Sequence, residues 1–346
     1  MKTDDSELQE GVLVCSNEMC KSEFPVIDGI PVILANLRSY LGQNLLPFLC
    51  REDLSETMAS LLGDCAGPGS GYDLMRQHIS TYGFAHYGDF DQEGASNRLC
   101  AGAITSLFEK SMAHLQPKIT GSFLDVGCSV GRTTFELAGQ SDGLVLGVDL
   151  NFAMLKMARS VMNEGKATYF LRREGLVYER RSFPVSFEGG KRADFWLCDA
   201  SALPFRSECF SGAASFNVLD CLWSPYDHLR EMIRILQTGA KAAVSTPFDW
   251  SANVTPVEGW LGGHSQRAPH QGLGKFYISA LLKSKPCAQE LQQIEILCEE
   301  DVPWCLRLHD RSIMQYLTHL MILKKHSDTP DPQRDIMKQV EDEGEG

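Results

Sequence analysis

Residues Leu124–Arg159, LDVGCSVGRTTFELAGQSDGLVLGVDLNFAMLKMAR, constrain the fold more than any other stretch of the chain. An apolar run enters a glycine turn, a helical pattern follows, and a second apolar run ends in Asp149. This is a strand, a tight turn, a helix and a strand with an acid at its end, the unit that binds adenosine-type cofactors in doubly wound sheets. Gly127 and Gly131 let the backbone turn and approach a ligand with no Cβ in the way. Asp149 lies 18 positions past Gly131, where a carboxylate accepts both hydroxyls of a ribose. The turn reads D-x-G-x-S-x-G, with Asp125 opening it and Ser129 inside it. An acid there repels a pyrophosphate and attracts the ammonium of a methionine moiety. The motif therefore points to S-adenosylmethionine rather than a dinucleotide, the alternative being a doubly wound domain with a glycine turn and no cofactor.

The rest of the 346 residues narrows the class of function. Hydrophobic residues make up 43%, enough for a substantial core, and the formal net charge is −13 from 32 basic and 45 acidic residues. The basic pairs Arg172-Arg173 and Arg180-Arg181 are too short for a phosphate track, so a nucleic-acid partner is not expected. The chain shows no secretory leader and no apolar run long enough to span a membrane, so a cytoplasmic protein with no membrane partner is expected. The 12 cysteines are scattered, which fits reduced thiols better than a disulfide scaffold. Cys198, Cys209 and Cys221 lie in or beside expected strands and read as small buried hydrophobes.

Residues 1–40 read as a small β module, 41–118 as a helical linker and substrate cap, 119–326 as the main domain and 327–346 as a disordered acidic tail. In the first module, Phe24–Pro31 spells strand, Asp-Gly turn, strand. Cys15 and Cys20 precede it, and the module is similar to the second half of the zinc-ribbon domains that accompany some methyltransferases. A C-x4-C pair is only half of a closed tetrahedral site, so the module reads as a degenerate ribbon and no metal is expected. Residues 35–66 have helix-like apolar spacing, and 72–118 read as two helices around a loop at Tyr82–Gly88. In the main domain, strands are expected at 122–127, 144–150, 194–200, 212–219, 240–247, 293–300 and 314–324, mostly alternating with helices. An insert rich in charge and aromatics at 166–193 reads as a hairpin or lid over the site.

Three more places fit a cofactor. Cys198-Asp199-Ala200 ends a strand, so Asp199 is set to accept from an adenine amino group while Ala200 donates its N–H. Phe216-Asn217-Val218-Leu219-Asp220 ends the next strand, beside the transferring methyl. Ligands of open parallel sheets sit at the carboxyl ends of strands where the strand order reverses, and Asp125, Asp149 (followed by Leu150), Asp199 and Asn217 all fall at such ends. Any one of them alone also fits a strand-end turn former. As a set they are similar to a class I S-adenosylmethionine-dependent methyltransferase. That resemblance implies an α/β, Rossmann-like fold whose seven-stranded, mostly parallel sheet has its last strand antiparallel, here with an N-terminal β stub and a helical cap.

Further strings appear in order: Phe84-Ala85-His86-Tyr87-Gly88, GCSVGRTTFELA, YFLRREG, CDASALPF, STPFDW with TPVEGWLGG, and EEDVPWCLRLHDRSIMQY. Over about residues 75–325 they resemble the C-terminal methyltransferase domain of ovothiol synthases, which methylates the imidazole of a mercaptohistidine. The first string departs from the family's FHYG by the extra Ala85. The iron-dependent sulfoxide synthase fused to that domain in the family does not precede it in this sequence. The resemblance implies an imidazole-thiol small molecule as acceptor, with sulfur or selenium, the ring nitrogen and the oligomeric state left open.

An amino-acid acceptor brings a carboxylate, which Arg307 is suited to grip bidentately. His309, two residues on in an extended segment, then points to the same face. His86 and Tyr87 are candidates to orient the ring or take its proton, with Asp220 as an alternative base. Trp260 of the WLGG string is placed to wall the ring, its two glycines to hinge a lid, and Asn217 and Trp223 to line the methyl pocket. Each has a structural alternative: His86 as a helix-end hydrogen-bonding residue, Arg307 as a solvated strand-end charge, Trp260 as core filling. Three rival functions remain open, namely methylation of histidine in a protein, methylation of another small molecule such as a quinone precursor, and a catalytically silent binding subunit.

Overall fold

The computed structural model describes residues 2–4, 7–17, 19–20, 22–49, 54–93, 98–115, 119–283 and 291–326. The expected tail at 327–346 lies outside the described residues. The chain opens with strands β1 (Lys2–Asp4), β2 (Glu7–Val14), β3 (Glu23–Ile27) and β4 (Ile30–Ile33). Helices α1 (Leu37–Leu49), α2 (Glu56–Ala66), α3 (Gly71–Tyr87) and α4 (Ile104–His114) follow. The repeating unit then runs β5 (Phe123–Val126), α5 (Arg132–Gln140), β6 (Val145–Asp149) and α6 (Phe152–Glu164). After it come β7 (Lys166–Glu174), β8 (Val177–Pro184), β9 (Ala193–Cys198), β10 (Phe210–Phe216) and α7 (Pro225–Ile235). The described chain ends with β11 (Leu236–Thr246), α8 (Gly274–Lys283), β12 (Ile294–His309) and β13 (Ser312–Lys325).

The central strands lie in the order β9-β6-β5-β10-β11-β13-β12. All are parallel except β13, which runs antiparallel to both β11 and β12. This is the α/β sheet expected, seven strands with the last one antiparallel. Two apolar clusters sandwich it, one beneath α3, α5 and α6 and the other beneath α7 and α8. Fully buried parallel strands read as continuous apolar runs, as FLDV and VLGVD do here.

The N-terminal strands join this sheet. Asp28 and Gly29, both at positive φ, turn β3 into β4, and β4 pairs in parallel with β9, Val32 opposite Leu197 and Ile33 opposite Cys198. Among the described residues no group of three or more His, Cys, Asp or Glu is arranged to hold a metal ion, and no helix is long and apolar enough to cross a membrane.

Several elements depart from expectation. Tyr82–Tyr87 is helix, the last part of α3, and not a loop. Gly83 is required there because the Tyr169 ring lies against it, and a Cβ would sit 2.9 Å from that ring. The 166–193 insert does form a hairpin, β7–β8, but it packs on the back of α3. The Ser80 hydroxyl accepts from the Arg172 N–H at 2.7 Å, and Arg181 pairs with Asp91 at 2.7 Å. It supports the helix that covers the strand ends rather than covering them itself.

Strands β12 and β13 are longer than expected. Only His319–Lys324 of β13 pairs with β11, so residues 302–318 rise beyond the sheet as a two-stranded wall. Cys100 and Cys305 form a disulfide that ties this wall to the loop before α4. That pair departs from the all-thiol expectation, because a bridge between positions 205 apart leaves no spacing signal. Cys198 is buried as expected, whereas Cys209 is half-buried and Cys221 exposed.

Candidate active site

The carboxyl ends of β5, β6, β9 and β10 converge where the strand order reverses. Between β5 and α5, Gly127 (φ 73°), Ser129 (φ 53°) and Gly131 (φ 91°) alternate in left-handed conformation. A Cβ on Gly127 would lie 2.2 Å from the Val218 side chain, and one on Gly131 would strike Ala158 and Phe195 at 2.8 Å. Ser129 tolerates the strain because its N–H donates to Asp149 Oδ2 at 2.9 Å and its hydroxyl approaches Met154 Sδ at 3.3 Å. The second Asp149 oxygen accepts from the Asn151 N–H at 2.8 Å. Burial pushes the Asp149 carboxyl up, against those backbone hydrogen bonds. Tyr40 of α1 donates its hydroxyl to the Leu150 carbonyl, so the N-terminal region braces the same corner.

Asp125 is fully buried. Its Oδ2 accepts from the Thr133 and Thr134 hydroxyls at 2.6 and 2.7 Å. Desolvation raises its pKa to about 6 in spite of those bonds. Asp199 accepts from the Ser201 N–H at 2.8 Å, and the Ala200 carbonyl accepts from His228 Nδ1 at 3.2 Å. A carbonyl can only accept, so His228 carries its proton on Nδ1 and its Nε2 accepts from Ser215 Oγ at 2.9 Å. This buried, neutral histidine, its pKa lowered to about 4 by burial, joins the ends of β9 and β10. Sequence reasoning passed it over, since a lone histidine on an amphipathic helix carries no signal.

Asn217 adopts φ 56°. Its Oδ1 accepts from Ser245 Oγ at 2.9 Å and from the Thr318 hydroxyl, while its buried Nδ2 has no partner. Asp220 is 2% exposed. Its Oδ2 accepts from the Asp249 N–H at 2.7 Å, its Oδ1 has no partner, and burial raises its pKa. Burial raises the Tyr82 phenol well above its ordinary value, with Cys221, Asp149, Tyr316 and Asp220 adding in the same direction. Tyr82, Asp249 and Tyr316 were not singled out in the sequence. Tyr82 sits four residues before His86, so helical spacing would have found it had that segment been read as helix.

The other expected catalytic residues occupy different places. His86 Nδ1 accepts from the Arg132 N–H at 3.3 Å, capping α5, and burial lowers its pKa to about 3. Tyr87 is fully buried and donates its hydroxyl to the Val130 carbonyl at 2.6 Å. Both bolt α3 to the glycine turn, and neither is disposed to take a proton from an acceptor. Arg307 is 1% exposed and donates to the Arg172 carbonyl and to Asp310, with its guanidinium 5.1 Å from the centre of the Phe84 ring. Its Nε and Nη1, both buried, have no hydrogen-bond partner. A bulge between Arg307 and His309 breaks their shared face, and His309 accepts from the Arg311 N–H at the hairpin turn. Trp260 donates to the Thr255 carbonyl at 2.9 Å and stacks on Trp250, while Trp223 is 73% exposed.

Residues 124–244 match a family model described as a methyltransferase domain. An O-methyltransferase of Penicillium expansum, cnsE, is 25% identical over 131 residues, 38% of this chain and 40% of that protein. The chain thus matches less than half of that relative's length. Among solved structures, a SAM-dependent methyltransferase from Methanosarcina mazei is similar at 20% identity, covering 62% of this chain and 95% of its own, with TM-score 0.40. A protein of Pyrococcus horikoshii, PH0226, is similar at 15% identity, 69% and 96% coverage and TM-score 0.40.

The chain carries a Rossmann-like methyltransferase domain. The class that the match defines, over residues 124–244, is a methyltransferase domain. The residues present fit S-adenosylmethionine: a turn that leaves no room for a Cβ, a carboxylate (Asp149) at the end of β6, and a buried carboxylate (Asp125) opening the turn.

Proposed function

We propose that this enzyme methylates an imidazole nitrogen of a thiohistidine-type small molecule, or its selenium analogue. The ordered strings shared with ovothiol-synthase methyltransferase domains support this reading. The observation that carries it is that Asp220 Oδ1, buried just past the carboxyl end of β10, has no hydrogen-bond partner, on a carboxylate whose proton affinity burial has raised.

In this reading Asp149 and Asp199 hold the ribose and the adenine amino group, and Asp125 faces the methionine ammonium. When bound, the cofactor supplies an electrophilic methyl on a sulfonium. The chain's own task is to hold a nucleophilic nitrogen at near-attack distance, roughly 3–3.5 Å, on the sulfur–methyl axis. Tyr82 and Tyr316 wall the acceptor, Asn217 fixes the floor, and Asp220 holds the ring N–H and takes its proton as the new N–C bond forms.

Mass spectrometry of the protein incubated with S-adenosylmethionine and 5-thiohistidine tests this, with histidine, a protein histidine and a quinone precursor as controls. A gain of one methyl on thiohistidine is expected. Methylation of a control acceptor alone, with thiohistidine untouched, would sink the proposal, and failure to bind S-adenosylmethionine would indicate a silent binding subunit.

A further inference from the structure

A cavity of about 240 Å³ opens between α2, α3, α6 and β7. Ala59 of α2, Met75 and Ile79 of α3, and Ala153 and Met157 of α6 give it apolar walls. Its lining includes no residue of the glycine turn between β5 and α5, and none of Asp149, Asp199, Asn217 or Asp220.

Arg76 of α3 lines the same cavity. It is 8% exposed. Its guanidinium makes one long hydrogen bond, from Nη1 to the Ala59 carbonyl at 3.4 Å, and its buried Nε has no partner. Among the described residues no carboxylate forms an ion pair with it. Asp73, one turn earlier on α3, is taken up by the Gly69 N–H at 2.9 Å, the Gln77 amide at 2.8 Å and the Tyr178 hydroxyl at 3.3 Å. The guanidinium instead meets aromatic faces, with the ring centres of Tyr178, Phe170 and Tyr72 at 3.9, 5.2 and 5.7 Å. The surroundings are shaped around it, since a Cβ on Gly63 of α2 would lie 2.5 Å from Nη1.

Burying a cation without a counter-ion is strongly unfavourable, and aromatic faces return only part of the loss. A cation kept so beside an apolar cavity is matched by an anion that brings its own apolar body to the walls. Two other cations of the lining are already paired, Lys156 with Asp28 at 3.2 Å and Lys166 with Glu164 at 2.7 Å. Arg76 is therefore the group that would read the ligand's charge.

We propose that this cavity is a second ligand site, separate from the strand-end site, and that it takes a small organic carboxylate with an apolar body. The carboxylate pairs with the Arg76 guanidinium, and the body lies along Met75, Ile79 and Met157.

Calorimetry of the full chain with octanoate tests this, with octanamide and inorganic phosphate as controls, each in the presence and absence of saturating S-adenosylhomocysteine. Octanoate is expected to bind at a single site, at least about tenfold more tightly than the amide or phosphate. S-Adenosylhomocysteine should leave that affinity unchanged. Arg76→Gln should bring octanoate down to the affinity of the amide and leave the amide as it was. Ser160→Phe, on the α6 wall, fills the cavity without touching Arg76 and should remove both. Thermal melts establish that the variants fold, and the comparison of octanoate with octanamide in the unaltered protein depends on neither variant.

Equal binding of octanoate and octanamide would mean that Arg76 is only a strut between α3 and α2, and overturns the proposal. Phosphate binding as tightly as octanoate would leave the apolar walls without a role and overturns it too. Displacement of octanoate by S-adenosylhomocysteine would put the ligand in the cofactor pocket, and no binding of octanoate at all would end the idea outright.

Discussion

At the scale of single residues, burial decides what each acid and cation does. Asp125 was legible from its place in the motif, but its altered acidity depends on walls that only the fold supplies. With burial raising its pKa to about 6, the ionised form, the one proposed to attract the methionine ammonium, is lost as pH falls through that value. Calorimetric affinity for S-adenosylmethionine should therefore weaken below about pH 6, and Asp125→Asn should bind weakly with that pH dependence removed. A wild-type affinity flat from pH 7.5 to 5 would place the ammonium elsewhere. Arg307 teaches the opposite lesson. Its residue type suggested a carboxylate clamp, yet its bonds to Asp310 and the Arg172 carbonyl make it a fastener between β12 and β7. Arg307→Ala should cost about 2 kcal/mol of stability in denaturant titration and leave the acceptor KM unchanged. A raised KM at unchanged stability would restore the clamp.

At the scale of elements, the alternation of apolar runs located the seven central strands, because buried parallel strands advertise themselves in composition. The segment Tyr82–Tyr87 was misread as a loop, since glycine and aromatics together suggest a turn. Only the Tyr169 ring, 86 positions downstream, explains why glycine sits inside a helix. Gly83→Ala raises intrinsic helix propensity but drives a Cβ into that ring. The expected net effect is a loss of about 1–3 kcal/mol in thermal or denaturant unfolding, whereas a stabilised variant would show the ring free to move. The Arg307–His309 face failed for a similar reason: a period of two assumes an unbroken strand, and a bulge at the hairpin's end shifts the period. His86 and Tyr87 were read as groups to orient the acceptor ring or take its proton, with a helix-end hydrogen bond as the alternative for His86, and the structure gives both of them hydrogen bonds to the glycine turn and α5. Their role as bolts on that turn rests on contacts with Arg132 and Val130 that no local pattern contains.

At the scale of the whole molecule, two distant tethers hold the cap to the sheet. The Cys100–Cys305 bridge joins the loop before α4 to β12. Treatment with a dithiol reductant, or Cys100→Ser, should lower stability by about 2–4 kcal/mol, read as a fall in Tm of the protein without ligand. An unchanged Tm would show the bridge to be dispensable to the fold. The second tether is the pairing of β4 with β9, where Val32 meets Leu197. During synthesis β4 leaves the ribosome well before the strand it must lie against has been translated. Its apolar residues Ile30 and Val32, fully buried in the finished protein, are then without their lasting partner while the chain through Cys198 is made. Nascent chains stalled short of β9 are therefore the natural clients of chaperones for this protein, and release of the first strands from such protection is timed by the arrival of the ninth.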